Sequence, residues 1–330
     1  MRFIRYVAPL LCFLLPVGCN PAAPAHETTA APTEPLPTQS PEEEKVTKIL
    51  ILGNSHSGDT FWLLQHVFQA QLPEEQFVLG YLYYSGCPIT KHVEFAYGEQ
   101  TVYRYSVNPD GNWTSYHDAT MRLALQDQAW DYIVLQPGRA DMNDTHALDM
   151  RRKLEAYVDQ YVKQPYQFLW QTTWASPDDP DIWSPAWPVQ PPAGYRERTI
   201  ALYGPDAHSQ FTIMTDLAKK NIVTDDTYAK KLCIGSPIMY SLWVLDRSQK
   251  EIYRDYTHLS DFGRLIASHA FFAQFTGQPI TQVNIDVVPT RLRIPRFASE
   301  GDLTVTEEMK RVILESVNNT LADPWAIPSK

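Results

Sequence analysis

The sequence predicts an α/β fold in which a parallel sheet is covered by helices on both faces. Two observations carry this. Lys48-Ile-Leu-Ile-Leu-Gly53 is a continuous apolar run that stops at glycine, the pattern of a strand buried on both sides. Downstream, short apolar runs alternate with segments of helical spacing, which implies parallel strands joined by crossover helices. At 330 residues and 44% hydrophobic, the chain also has ample material for a large core without disulfides or a structural metal.

Taken in order, the chain starts with a segment of a different kind. Arg2 and Arg5 precede a short apolar stretch, Val7 to Val17, and the segment closes on Leu15-Pro16-Val17-Gly18-Cys19. The stretch is shorter than the roughly 20 apolar residues of a membrane span and reads as an export signal over residues 1–18. Its end resembles a bacterial lipobox, with Pro16 where leucine is usual, which implies lipidation of Cys19. Residues 19–47, rich in Pro, Ala, Thr and Glu, have no apolar periodicity and read as a disordered tether. The expected location is the cell envelope of a bacterium, attached to the membrane through the lipid alone.

From Lys48 the folded body begins, with residues 48–280 expected to form the main domain. Strands are expected at Lys48–Gly53, Phe77–Leu82, Asp131–Leu135, Tyr166–Trp170 and Leu232–Gly235. Helices are marked by Phe61, Leu64, Val67 and Phe68, by Ala147, Met150, Leu154, Tyr157 and Tyr161, by Phe211, Met214 and Leu217, and by Phe262, Leu265, Ile266, His269 and Phe272. Thr101 to Tyr116 alternates around Asn108-Pro-Asp-Gly111 and predicts a β-hairpin insertion. Ser176 to Tyr195 is a Pro- and Trp-rich loop too long for a mere connection. Residues 281–330 form a C-terminal extension whose helix, Thr306 to Leu321, is expected to pack on the domain.

The formal charge of −10 argues against nucleic acid as a partner, which calls for a basic face. Only Cys87 and Cys233 fall in the folded body, with no C-x-x-C spacing, and the nine histidines show no His-x-x-x-His pair. No metal or cofactor is therefore expected, and a metal-dependent phosphoesterase is disfavoured.

Two local patterns carry chemistry. In Gly53-Asn54-Ser55-His56-Ser57, a serine stands where the first strand meets the first helix, near helix N–H groups able to receive a developing oxyanion. It differs from the G-x-S-x-G elbow, since Ser57 replaces the second glycine. In Asp255-Tyr256-Thr257-His258, a carboxylate precedes a histidine by three residues, a spacing that lets Asp255 orient one ring nitrogen and leave the other free as a general base.

Together these resemble the SGNH/GDSL hydrolases, whose nucleophile block matches Ser55 and whose D-x-x-H block matches Asp255 and His258. Gly86, in Tyr84-Ser-Gly-Cys87, matches the family's oxyanion glycine. The third block, normally asparagine, reads Val134-Leu-Gln-Pro-Gly-Arg139 here, making Gln136 the nearest equivalent. Gly86-Cys-Pro-Ile-Thr-Lys-His92, Trp130-Asp-Tyr-Ile-Val-Leu-Gln136 and Thr173-Trp-Ala175 further resemble a subgroup catalogued as a domain of unknown function. The likeness runs from about Lys48 to about Gly277.

The resemblance implies a flavodoxin-like three-layer α/β/α sandwich with a five-stranded parallel sheet in the order 2-1-3-4-5. That order brings the loops carrying Ser55, Gly86 and Gln136 to one sheet edge. It implies a serine esterase working through an acyl-enzyme, with catalytic Ser55, Asp255 and His258 and an oxyanion hole of Ser55, Gly86 and Gln136. A small-molecule or glycan ester is the expected substrate. His92, Arg139 and Trp174 are candidates for substrate contact, and Trp183, Trp187 and Tyr195 for an aromatic acceptor site. An acyltransferase with the same triad and a non-catalytic glycan-binding lipoprotein are the competing readings. The order also separates Cys87 from Cys233 by four strand steps, about 19 Å. A disulfide spans no more than about 7 Å between Cα atoms, so both are expected as free thiols.

Overall fold

The computed structural model describes residues 46–293 and 301–329. The expected signal segment, Cys19 and nearly all of the tether lie outside the described residues. Strand β1 covers Val46–Gly53, so the strand starts two residues before the expected Lys48. It leads into helix α1, Ser55–Gln71, then β2, Gln76–Tyr83, and α2, Ile89–Tyr97. The hairpin follows as β3, Tyr103–Val107, and β4, Thr114–Ala119. Next come α3, Met121–Asp127, β5, Tyr132–Leu135, α4, Thr145–Tyr161, and β6, Gln167–Thr172. After the long loop stand α5, Tyr195–Tyr203, α6, Ala207–Ala218, β7, Tyr228–Cys233, and α7, Gly235–Trp243. The short α8, Gln249–Ile252, precedes α9, Asp261–Thr276, and α10, Glu307–Leu321, closes the series.

The main sheet has seven strands in the order β4-β3-β2-β1-β5-β6-β7, which corrects the expected five. Its five parallel strands run β2-β1-β5-β6-β7. The hairpin is not a separate insertion: β3 pairs antiparallel with β2, with Arg104 opposite Tyr83. An apolar β2 with a free edge would expose unpaired backbone, and the hairpin covers it. The last parallel strand begins at Tyr228, four residues before the expected start, because Lys230 and Lys231 interrupt the apolar run on this edge strand.

Alternation along β1 explains the two layers of packing. Ile49 and Ile51 enter one core with Phe61, Leu64 and Phe68 of α1, Leu265 and Phe272 of α9, and Val312 and Val317 of α10. Leu50 and Leu52 enter the other with Val93 of α2, Leu125 of α3 and Leu154 of α4. Both faces of the strand are thus buried, as its unbroken apolar run requires. Cys87 and Cys233 are both free and buried. No helix among the described residues is long and apolar enough to cross a membrane.

Candidate active site

All five parallel strands end at one edge, and the central strand β1 delivers Ser55 there as the first residue of α1. The turn between them is tight. A Cβ on Gly53 would sit 2.2 Å from Ser57 Oγ and 3.0 Å from Gln136 Oε1, so only glycine fits. Asn54 caps the helix, its Oδ1 accepting from His56 N–H at 3.1 Å, the usual work of an N-cap side chain. Ser57 N–H donates to Gln136 Oε1 at 3.2 Å, and Gly58 N–H to the Asn54 carbonyl at 3.2 Å. The N–H of Ser55 itself is used by no protein acceptor among the described residues.

Opposite Ser55, the Asp255–His258 segment is the tip of a small hairpin. Tyr253 pairs with Leu259, Arg254 N–H reaches the His258 carbonyl at 3.1 Å and Ser260 N–H the Ile252 carbonyl at 2.8 Å. Within the tip, Asp255 Oδ1 accepts from Thr257 N–H at 3.0 Å and His258 N–H at 2.8 Å. The same carboxylate lies 2.9 Å from His258 Nδ1, and His258 Nε2 lies 2.8 Å from Ser55 Oγ. Serine, histidine and aspartate thus form one hydrogen-bonded chain across 203 residues of sequence between Ser55 and His258.

The electrostatics suit that chain. Burial alone would raise the Asp255 carboxyl, but the His258 hydrogen bond and the charges of His258 and Arg254 outweigh it and hold the group below its ordinary value. The neighbouring His56 is kept neutral. Burial first, then the positive charges of Arg139, His258 and Arg254, push it well below the usual imidazole value, while its Nε2 pairs with Thr257 Oγ1 at 2.9 Å. His56 therefore adds no positive charge beside His258.

The loop after β2 is tied to the same turn. Tyr84 N–H donates to the Gly53 carbonyl at 3.3 Å, and Asn54 Nδ2 to the Cys87 carbonyl at 3.2 Å. A turn closed by Cys87 N–H on the Tyr84 carbonyl at 3.3 Å puts Gly86 at φ +59°, the left-handed region that favours glycine. The Gly86 N–H, like that of Ser55, meets no protein acceptor among the described residues.

Four expected roles are corrected. Gln136 does not offer its amide as an oxyanion donor: Asn54 N–H at 3.3 Å and Ser57 N–H at 3.2 Å demand its oxygen, which turns the nitrogen to the Pro137 carbonyl. It braces the serine turn. His92, 2% exposed, is buried among core side chains, stacked on Tyr103 with Nδ1 2.9 Å from its hydroxyl, and burial pushes it down to about 4. Arg139 is buried and spent on Ser176 Oγ and Thr257 Oγ1, so it holds loops rather than substrate. Trp174 is fully buried, its Nε1 donating to the Thr257 carbonyl at 2.9 Å, and so supports the Asp255–His258 tip from below. Of the loop aromatics, half-buried Trp183 and Tyr195 gather with Tyr256 beside the hairpin, while Trp187 Nε1 donates to the Arg254 carbonyl at 2.9 Å.

One brace carried no sequence signal. Asp59, one helical turn after Ser55, is buried, its Oδ1 2.7 Å from an Arg254 amino group and its Oδ2 2.9 Å from Leu259 N–H. It clamps α1 to the histidine hairpin. Replacing Asp59 by Ala strips the Leu259 N–H of its acceptor and leaves Arg254 only the Asp255 carboxylate, 3.7 Å from its Nε, and we expect a loss of about 3 kcal/mol of stability. Denaturant unfolding measures it, and a loss below about 1 kcal/mol would mean that the pair is not a clamp.

The fold and site together define an α/β protein with a serine–histidine–aspartate chain at the carboxyl edge of its parallel strands. Residues 48–182 match the family model described as a domain of unknown function, DUF4886. A crystal structure of a DUF4886 family protein from Bacteroides uniformis superposes with a TM-score of 0.66 at 19% identity, covering 86% of this chain and 98% of that one; the two share a fold. A catalytic mutant of Axe2, an acetylxylan esterase from Geobacillus stearothermophilus, overlaps more loosely. Its TM-score is 0.41 at 12% identity, over 70% of this chain and 95% of that one. No curated protein matches the sequence.

Proposed function

We propose that this chain is an SGNH-type serine hydrolase of carboxylic esters, with O-acyl esters of glycans as its substrate class. The observation that carries the reading is the 2.8 Å contact of Ser55 Oγ with a His258 ring nitrogen whose partner nitrogen is held by Asp255. In the proposed reaction His258 Nε2 takes the Ser55 proton as Oγ attacks the ester carbonyl carbon. The carbonyl electrons move onto oxygen, where the unpaired N–H groups of Ser55 and Gly86 receive the charge. Collapse breaks the bond to the alcohol oxygen, which takes the proton from His258. Water then attacks the acyl-enzyme, giving its proton to the same nitrogen, and the second collapse returns the proton to Ser55 Oγ. Export and lipid attachment at Cys19 belong to the same proposal; the charged n-region, the short apolar stretch and the lipobox-like end of residues 1–19 support them.

The test is hydrolysis of p-nitrophenyl acetate together with labelling by a fluorophosphonate. Turnover, with one equivalent of label located on Ser55 by peptide mass spectrometry, is the expected result. A protein that neither turns over p-nitrophenyl esters of any chain length nor takes the label is not a serine hydrolase.

A further inference from the structure

The cleft that opens beside Ser55 has a charge opposite to that of the whole chain. Its volume is about 480 Å³, and five of its lining residues are arginines, Arg104, Arg254, Arg264, Arg291 and Arg293, against the single carboxylate of Asp59. The chain as a whole carries a formal charge of −10. Three of these arginines hold carboxylates: Arg254 binds Asp59, and Arg264 and Arg293 share Asp261. Arg104 and Arg291 are exposed and have no carboxylate partner among the described residues. Arg104 stands at the mouth because the hairpin places it opposite Tyr83, the last residue of β2. Its guanidinium lies 5.9 Å from the ring of Trp62, which also lines the cleft. Arg291 arrives from the far end of the sequence, in the short turn Thr290–Leu292.

We infer that the ester hydrolysed at Ser55 carries an anionic group, a carboxylate or a phosphate, on the part remote from the reacting carbonyl. The inference rests on the ester-hydrolase reading and deepens it. A cleft of this volume takes a small molecule of one or two rings. Guanidinium groups pair with carboxylate or phosphate oxygens two at a time, and Trp62 offers an aromatic face beside Arg104. A neutral ester would leave two exposed guanidinium groups unused at the mouth, whereas an anionic one is drawn in by the local field and held by them.

Three acetyl esters test it: 4-acetoxybenzoate, 4-acetoxyphenyl phosphate and the neutral methyl 4-acetoxybenzoate, each rate divided by its hydroxide-catalysed rate. For the wild-type protein, kcat/KM for at least one anionic ester should exceed that for the neutral one by about tenfold, and the larger of the two ratios tells which anion fits. In the Arg104→Gln, Arg291→Gln double variant that ratio should fall to near one, and about 0.5 M salt should lower it in the wild type. A wild-type ratio of one or less for both anions, or a ratio that survives the double substitution, overturns the inference. Binding decides it independently of turnover. By calorimetry, Ser55→Ala protein should bind the non-hydrolysable 4-acetamidobenzoate or 4-acetamidophenyl phosphate more tightly than methyl 4-acetamidobenzoate. No preference there sinks the anionic cleft, whereas a preference without any Ser55-dependent hydrolysis sinks only the esterase reading.

Discussion

Replacing Ser55 by Ala is expected to lower kcat for ester hydrolysis by about 10⁴ to 10⁶, leaving only what binding and the remaining N–H donors supply. Oγ is the atom that forms the acyl-enzyme, and no neighbour can take its place. Ser57 Oγ donates to the Asn54 carbonyl at 2.8 Å and meets the Tyr81 hydroxyl at 3.4 Å, on the buried side of the turn, and is hydrogen-bonded to no imidazole among the described residues. The fold should be untouched, since Ser55 is only half-buried and, among the described residues, its hydroxyl contact is to His258 alone. Thermal unfolding within about 0.5 kcal/mol of the wild type, together with the rate, checks both halves. An alanine variant that hydrolyses esters at the wild-type rate would remove Ser55 from the mechanism.

Asp255→Asn should be nearly as damaging to rate and far milder to structure. Asparagine keeps an oxygen for the N–H groups of Thr257 and His258, which now donate to Asp255 Oδ1. Its nitrogen, however, faces His258 Nδ1 with hydrogens. The imidazole then presents a bare Nδ1 to the new amide and a protonated Nε2 to Ser55. That is the wrong tautomer for accepting a proton, and a loss of about 10⁴ in kcat follows. The pH dependence of stability follows the carboxyl. The Asp255 carboxyl is held below its ordinary value, with burial opposing and His258 and Arg254 prevailing. Its contribution to stability is therefore complete above the unfolded carboxyl value of about 3.9 and is lost only as pH falls through the lower folded value. The imidazole must be neutral to accept the Ser55 proton, which is the form that Asp255 orients. An Asp255→Asn variant whose kcat stays within about tenfold of the wild type would remove Asp255 from the mechanism.

Much of this site was legible because its signals are local. Asp255 and His258 are three residues apart, and a short hairpin suffices to join carboxylate to imidazole. Ser55 stands at a strand-to-helix junction that the apolar run up to Gly53 announces by itself. Gly86 came only through the resemblance to a known family, and its left-handed backbone angle is a finding of the structure. The residues misassigned were those whose polarity could be read but whose direction could not. Arg139 and Trp174 lie in the right loops and touch Thr257, yet both are buried beneath the hairpin. Gln136 stands in the right loop with its amide reversed, because the backbone N–H groups of Asn54 and Ser57, far back along the chain, require its oxygen.

By itself, then, the sequence determined the parallel α/β body, the succession of buried strands along the chain, the place of Ser55 and the pairing of Asp255 with His258. Each follows from apolar periodicity, turn chemistry or spacing within a few residues. The tertiary structure decided the rest: that the hairpin becomes sheet and carries Arg104 to the cleft, that Asp59 clamps Arg254 across 195 residues, and that Arg291 meets Ser55 in one cavity. Such contacts depend on which side chain points where after the chain has closed on itself. A charged residue reads the same in sequence whether it is solvated, paired in the interior or waiting at the mouth of a cleft, and only the packing around it tells these apart.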